Sequence, residues 1–333
     1  MTRVSAARKK QRWVLRYIVR NRNSNGYLLR RDFCRMAIYV ARGVLLFGLC
    51  LLILRPLVAQ LSISFMSTSD LFNPAVNLIP RRPTMGMYRM AIYLMNYWES
   101  LVRTLAITFS ASFLQIAACA LAAYGFARFN FPLKRFWFIC VMLTILVPPQ
   151  VIMAPMFMNF RFFTFFGLTN LVGVESMNKL NIYGYLIMVA TGMGLRSGLF
   201  IFVMRQYMRS MPMELEEAAY VDGCGKLRTF FQIALRDTIP MLVTCFLLAF
   251  VWQWTDGFYS NMFLWEQGVM SLQMSGLAEV YRNWFISTGW IPVNELRQLI
   301  AIGVLIGTVP VIAIYVLAQR MLEKCIGQSG LKM

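Results

Sequence analysis

Histidine is absent from the 333 residues. That excludes imidazole acid–base catalysis, histidine metal ligation and histidine proton relays. The seven cysteines (Cys34, Cys50, Cys119, Cys140, Cys224, Cys245 and Cys325) show no CxxC and no paired spacing, and five lie in or near apolar runs. They read as small hydrophobes, with neither a disulfide framework nor a metal site. Gly223-Cys224-Gly225-Lys226 has the outline of a phosphate loop, but Leu227 stands where Ser or Thr is required, and Val221 belongs to a helical pattern instead of a glycine loop. The chain is not expected to hydrolyse ATP by itself, and no cofactor is implied.

The acids are more informative. Five of the fourteen (Glu214, Glu216, Glu217, Asp222 and Asp237) fall in or beside one loop, Met211-Pro-Met-Glu-Leu-Glu-Glu-Ala-Ala-Tyr-Val-Asp-Gly-Cys-Gly-Lys-Leu-Arg-Thr-Phe-Phe-Gln-Ile-Ala-Leu235. Pro212 suits a first helical position, and Glu214, Glu216 and Glu217 complement the dipole of a helix beginning there. Gly223 and Gly225 supply a stop and a sharp turn. A second short helix is expected to follow, with Leu227, Phe230, Phe231 and Ala234 on one face. The acids run against the basic bias of their flanks, so the pattern points to a basic surface on another protein; a solvated interfacial helix is the alternative.

The elements that carry this loop are set by composition. The chain is 59% hydrophobic and 14% charged, against roughly 45–50% and about 25% for soluble domains. The excess predicts an all-α polytopic membrane protein. A hydrocarbon core of about 30 Å takes roughly 20 apolar helical residues. Six transmembrane helices are expected, near Ala41–Ser64, Leu101–Phe126, Phe136–Phe157, Tyr183–Met204, Met241–Gly257 with its flanks, and Leu299–Leu317. Arg55-Pro56 interrupts the first, and Gly192, Gly194, Arg196 and Gly198 the fourth.

Orientation follows from the positive charges. With alternate crossings, 22 of the 33 Lys and Arg fall on the side of the N-terminus and seven on the other. Both termini and the acidic loop are therefore placed in the cytosol, and the net charge of +19 reads as topology, with no nucleic-acid footprint. Residues 1–36 form a basic cytosolic segment, and 37–333 the membrane domain. In the basic segment Trp13, Val14, Tyr17 and Ile18 interleave with Arg12, Arg16 and Arg20, which suits either a helix on an anionic leaflet or an unfolded tail. No small-residue cleavage site follows, so a cleaved signal peptide is not expected.

Three groups resemble sites. Arg196 sits mid-span among glycines and either faces an aqueous path, where it could hydrogen-bond a polar solute, or pairs with a carbonyl or acid. Trp252, Trp254, Trp265, Trp284 and Trp290, with Tyr259 and Tyr281, suit sugar rings but equally an interfacial belt or loop core. Gly194-x3-Gly198 and Gly303-x3-Gly307 allow close helix contact, inside the subunit or against a partner.

Glu217-Ala218-Ala219, three residues, Gly223, nine residues, Ile233-x-Leu235 resembles the EAA signature of permease subunits of binding-protein-dependent ABC importers. The stretch Ala122-Ala-Tyr-Gly-Phe-Ala-Arg-Phe-Asn-Phe-Pro132, Val147-Pro-Pro-Gln150, Arg205-Gln206, Trp254-Thr-Asp256 and Gln319-Arg320 are similar to the oligosaccharide-uptake, maltose permease-like branch. The resemblance runs from about residue 45 to the end. Arg236 replaces the proline of the I-x-L-P element, Thr255 an asparagine before Asp256, and Arg103 one before Thr104.

The resemblance implies that residues of about 208–237 form a coupling helix–turn–helix seated on a cytosolic ATPase. Glu217 would pair with a basic group there, Ala218 and Ala219 would allow close approach, and Asp222-Gly223 would turn the chain. It also implies a second homologous permease, an ATPase dimer and an extracellular solute-binding protein around this subunit in a bacterial cell membrane, and an oligosaccharide or related glycoside as cargo, with Arg196 and Trp254 as candidates for the solute path. A permease for a non-carbohydrate solute, or an ion-coupled secondary transporter, is the alternative; the latter usually shows internal repeats and intramembrane acids, and neither is visible here.

Overall fold

The computed structural model describes residues 27–76, 78–162, 180–285 and 293–330. Every regular element among them is helical. The Trp13–Arg20 pattern and Trp290 lie outside the described residues. By internal contacts the chain divides into Met1–Ser62 with Asn77–Ile79, and Ile63–Val76 with Pro80–Met333.

The first unit holds most of α1, Tyr27–Phe65. Its 39 residues extend roughly 60 Å at about 1.5 Å per residue. The helix begins inside the basic segment and runs through Arg55-Pro56 without a break. Side chains from Phe33 to Val58 are exposed, a surface that hydrocarbon solvates as readily as a protein core.

The second unit begins with two short helices, α2 Thr68–Leu71 and α3 Gly86–Leu94, and continues with α4 Tyr97–Arg128, α5 Lys134–Leu146, α6 Pro149–Arg161, α7 Ile182–Ala190, α8 Ser197–Arg209 and α9 Glu214–Val221. Then come α10 Lys226–Thr229, a π-helical turn at Phe230–Ala234, α11 Leu235–Trp254, α12 Phe258–Phe263, a 3-10 turn at Trp265–Gln267, α13 Met270–Phe285 and α14 Val293–Gly330. At the centre is α4, which touches α3, α7, α8, α11 and α13. Its buried positions (Ser100, Thr104, Ile107, Thr108, Ala111, Ser112, Gln115, Ile116, Cys119, Ala120, Ala123 and Tyr124) recur every three or four residues. Most are small, so neighbouring helices approach closely.

Among the described residues four helices, or five counting one bent pair, are long and apolar enough to cross a membrane. The third expected span, Phe136–Phe157, is not one straight helix: α5 and α6 meet at 108°. Pro148 and Pro149 force the break, because Val147 before a proline turns extended (φ −77°, ψ 118°) and Pro149 opens the next helix. The fourth, Tyr183–Met204, is the pair α7 and α8 joined by residues 191–196. Gly192 (φ +78°) and Arg196 (φ +58°) both adopt the left-handed region there. In place of a separate second loop helix, α10, the π-turn and α11 form one run, Lys226–Trp254. Its buried line is Phe230, Ala234 and Thr238, at i, i+4, i+8, while Leu227 and Phe231 face outward. The four residues assigned to one face thus divide two and two.

Within the second unit the glycine pairs work as packing contacts. A Cβ at Gly198 would lie 2.2 Å from Thr144 Oγ1 and 2.8 Å from the Val141 carbonyl of α5. At Gly303 it would meet Leu277 at 2.6 Å, and at Gly307 Met274 at 2.3 Å. Gly198→Ala is therefore expected to lower the unfolding free energy of the solubilised protein by about 1–3 kcal/mol, the usual cost of overpacking. Gly125→Ala, where nothing lies within 4 Å, serves as the neutral control. Thermal unfolding of the two variants in the same detergent measures the difference.

Candidate functional site

The acidic loop folds by local rules. α9 starts at Glu214, with Met213 as its N-terminal flank and three glutamates in its first turn. At the other end Cys224 N–H donates to the Ala219 carbonyl (2.9 Å) and Gly223 N–H to that of Tyr220 (3.1 Å). This is the closure made by a left-handed residue after a helix, and Gly223 supplies it at φ +80° without a Cβ penalty. α7 ends in the same way: Gly192 N–H donates to Val189 and Met193 N–H to Met188.

Of the eight α9 residues only Glu216 and Ala219 are buried. Glu217, Ala218, Asp222 and Gly223 are exposed, as are Leu215, Tyr220 and Val221. Four of the five residues expected at a protein contact thus lie on the open surface, and Ala219 packs inward. Glu216 departs from the reading that the acids meet another protein. Its Oε1 is 2.7 Å from Nε of Arg128, and the two side chains are only 4% and 6% exposed. Tyr124 Oη–H donates to Glu216 Oε2 (3.2 Å) and Arg128 Nη2–H to the Met211 carbonyl (3.0 Å). The Tyr124 ring also lies 4.8 Å from that of Phe230. Sequence reasoning missed this cluster: Tyr124 and Arg128 entered only as part of the stretch Ala122–Pro132 and of the charge count. The available signal was that Tyr124 and Arg128 stand at i, i+4 at the end of a span on the loop's own side.

A second feature lies at the breaks. A cleft of about 570 Å³ is lined by Val147-Pro-Pro-Gln150, Arg196, Trp252, Asp256 and their neighbours. The Arg196 guanidinium lies 4.2 Å above the Trp252 ring, a cation–π contact. Asp256 accepts from the backbone N–H groups of Phe258 and Tyr259 (both 3.1 Å), so its carboxylate caps α12. Trp254 does not line the cleft: it is buried, and its Nε1–H donates to the Gly307 carbonyl (3.1 Å). Of the other aromatic residues, Tyr259 and Tyr281 are core and Trp265 and Trp284 are exposed.

Behind the cleft a buried amide chain holds the break. Gln115 Nε2 donates to the Leu195 carbonyl (2.7 Å) and Ser197 Oγ (2.9 Å), and its Oε1 accepts from Gln253 Nε2 (2.6 Å). Ser112 Oγ–H donates to Gln253 Oε1 (3.1 Å). A Cβ on Gly194 would press on the Gln115 amide at 3.0 Å.

Residues 115–327 match the family described as "Binding-protein-dependent transport system inner membrane component", and the chain belongs to that family. It is 31% identical over 166 residues to a "Probable ABC transporter permease protein" of Pyrococcus horikoshii; the match covers 50% of this chain and 54% of that protein, about half the relative's length. The sn-glycerol-3-phosphate transport system permease protein UgpE of Yersinia pestis is 26% identical over 280 residues, 81% of this chain and 89% of that one. A chain from the crystal structure of a bacterial ABC transporter involved in the import of the acidic polysaccharide alginate shares the fold, with a TM-score of 0.66 at 21% identity over 85% of this chain and 95% of that one. The chain is thus a multi-pass membrane protein of a transport family, and the family match contains the loop, the cleft and, Ser112 apart, the amide chain.

Gln115→Leu is expected to strand the Leu195 carbonyl and the Gln253 Nε2 donor, while the Ser197 hydroxyl keeps the Gly194 carbonyl. The expected loss is about 1–3 kcal/mol, the cost of leaving a buried polar group unpartnered. Thermal unfolding reads the loss directly, and Gln115→Glu at low pH should recover part of it.

Proposed function

We propose that this chain is a permease subunit of an ATP-driven importer for an oligosaccharide or related glycoside, and that α9 is its coupling helix. The observation that carries the reading is the exposed face of α9. Glu217, Ala218 and Asp222 stand open beside the apolar Leu215, Tyr220 and Val221, on a helix whose end is fixed by Gly223. That face suits a groove on a cytosolic ATPase: the small Ala218 permits close approach, and Glu217 offers a carboxylate to a basic group. ATP hydrolysis belongs to that partner, since this chain lacks the phosphate-loop pattern. A second homologous permease and an extracellular solute-binding protein complete the assembly.

The cleft at the breaks is the proposed solute path, with Arg196 meeting the solute and Trp254 holding the cleft wall from behind. Carbohydrate cargo is supported by the relatives, one named for sn-glycerol-3-phosphate and one involved in alginate import. The proposed topology places both termini in the cytosol of a bacterial cell, with residues 1–36 as a basic cytosolic segment ahead of a membrane domain over 37–333. The positive charges support this placement.

Glu217→Arg and Gly223→Asp are each expected to abolish ATP-driven uptake in reconstituted vesicles while leaving the subunit inserted. The first reverses the contact charge, and the second puts a Cβ at φ +80°. Uptake by either variant at the wild-type rate refutes the coupling role. Purification of the wild-type subunit should bring ATPase subunits with it; a chain that transports alone, driven by an ion gradient, would be a secondary carrier. A membrane-impermeant maleimide should label the partly exposed Cys224 from the cytosolic side only.

A further inference from the structure

The connections of α9 to its neighbours along the chain are not helical. On one side it joins α8 through Ser210–Met213, and on the other it leaves through Gly223-Cys224-Gly225, two glycines in three residues. Neither link continues α9 as a helix. The stiff connection runs through space. Arg128 grips Glu216 inside α9 and the Met211 carbonyl before it, and Tyr124 holds Glu216 and packs its ring, tilted, against Phe230 beyond the second link. The first link of α9, and the chain just beyond the second, are thereby held against the last turns of α4. Charges this far from water do not separate readily, because each alone would keep its desolvation penalty.

From Arg128, α4 continues 13 residues, about 20 Å at 1.5 Å per residue, to Gln115, which holds the Leu195 carbonyl and Ser197 at the break between α7 and α8. One unbroken helix thus carries the ion pair at its end and the amide chain along its length.

We propose that the Arg128–Glu216 pair, supported by Tyr124, is the joint through which movement of α9 enters α4 and reaches the break at residues 191–196. Arg128, Glu216 and Tyr124 are positioning residues: none of them lines the cleft proposed as the solute path. The inference rests on the coupling role proposed above, and adds that the force leaves α9 through this pair.

The test uses the complete transporter in liposomes, reading solute uptake per ATP hydrolysed and the amount of ATPase retained on purification. Glu216→Gln leaves Glu217, Ala218 and Asp222 in place, so ATPase retention should be unchanged. Uptake per ATP should fall roughly tenfold, within the usual range for coupling between sites. The exchanged pair, Arg128→Glu with Glu216→Arg, should recover only part of the loss, since a carboxylate at 128 cannot donate to the Met211 carbonyl and a guanidinium at 216 cannot accept from Tyr124. Tyr124→Phe leaves the pair intact and should give a smaller loss in the same ratio. Should Glu216→Gln fail to insert, Tyr124→Phe decides alone. An unchanged ratio in the inserted variants, or loss of ATPase retention with a normal ratio in the remainder, overturns the joint. A wild-type complex without ATP-driven uptake instead defeats the underlying transport role, before any variant is made.

Discussion

Backbone N–H and C=O groups in hydrocarbon must find partners inside the protein, and this constraint organises the membrane unit. A continuous helix meets it unaided. The stretch from Ile182 to Arg209 does not, because residues 191–196 leave the helical path. Gly192 closes the end of α7, Ser197 Oγ–H returns to the Gly194 carbonyl, and Gln115 reaches across from α4 to the Leu195 carbonyl. Gln253 and Ser112 complete the set from α11 and α4. Polar side chains on packed helices thus give the irregular segment partners inside the protein, and the cleft lies beside it.

α4 recurs in every part of this arrangement. Its stripe of small and polar residues lets α7, α8 and α11 approach. Its middle supplies the amides for the break, and its last turns supply Tyr124 and Arg128 to the loop. A buried ion pair adds little net stability on its own, yet losing one partner costs about 3–5 kcal/mol. Such a contact fixes geometry more than it raises stability. That suits a loop whose outer face remains open and whose helix, at eight residues, is too short to hold its shape in isolation.

Much of this was legible beforehand where a residue's effect is local. The excess of apolar residues set the class. Gly223 closes a helix, Pro148-Pro149 opens one, and Gly192 with Arg196 marks a break. The third expected span is bent because Pro148 and Pro149 break a stretch whose length and hydrophobicity alone suit one helix. The face of Leu227, Phe230, Phe231 and Ala234 failed for another reason. These residues open the long run Lys226–Trp254, so which of them turn inward is set by where that run packs, and Leu227 and Phe231 remain exposed.

By itself the sequence determined the helical membrane class, the turns that depend on glycine and proline, and the loop signature at residues 217–235. These follow from backbone sterics and solvent preference, which act within a few residues. Only the tertiary structure decided which acid turns inward. Glu216 and Glu217 are adjacent and chemically alike, and what separates them is Arg128, 88 positions away, brought alongside by the packing of α4. The same holds for Trp252 and Trp254, one at the cleft and the other bonded to Gly307. Pairings between distant segments depend on how whole helices pack, and local spacing carries no record of that.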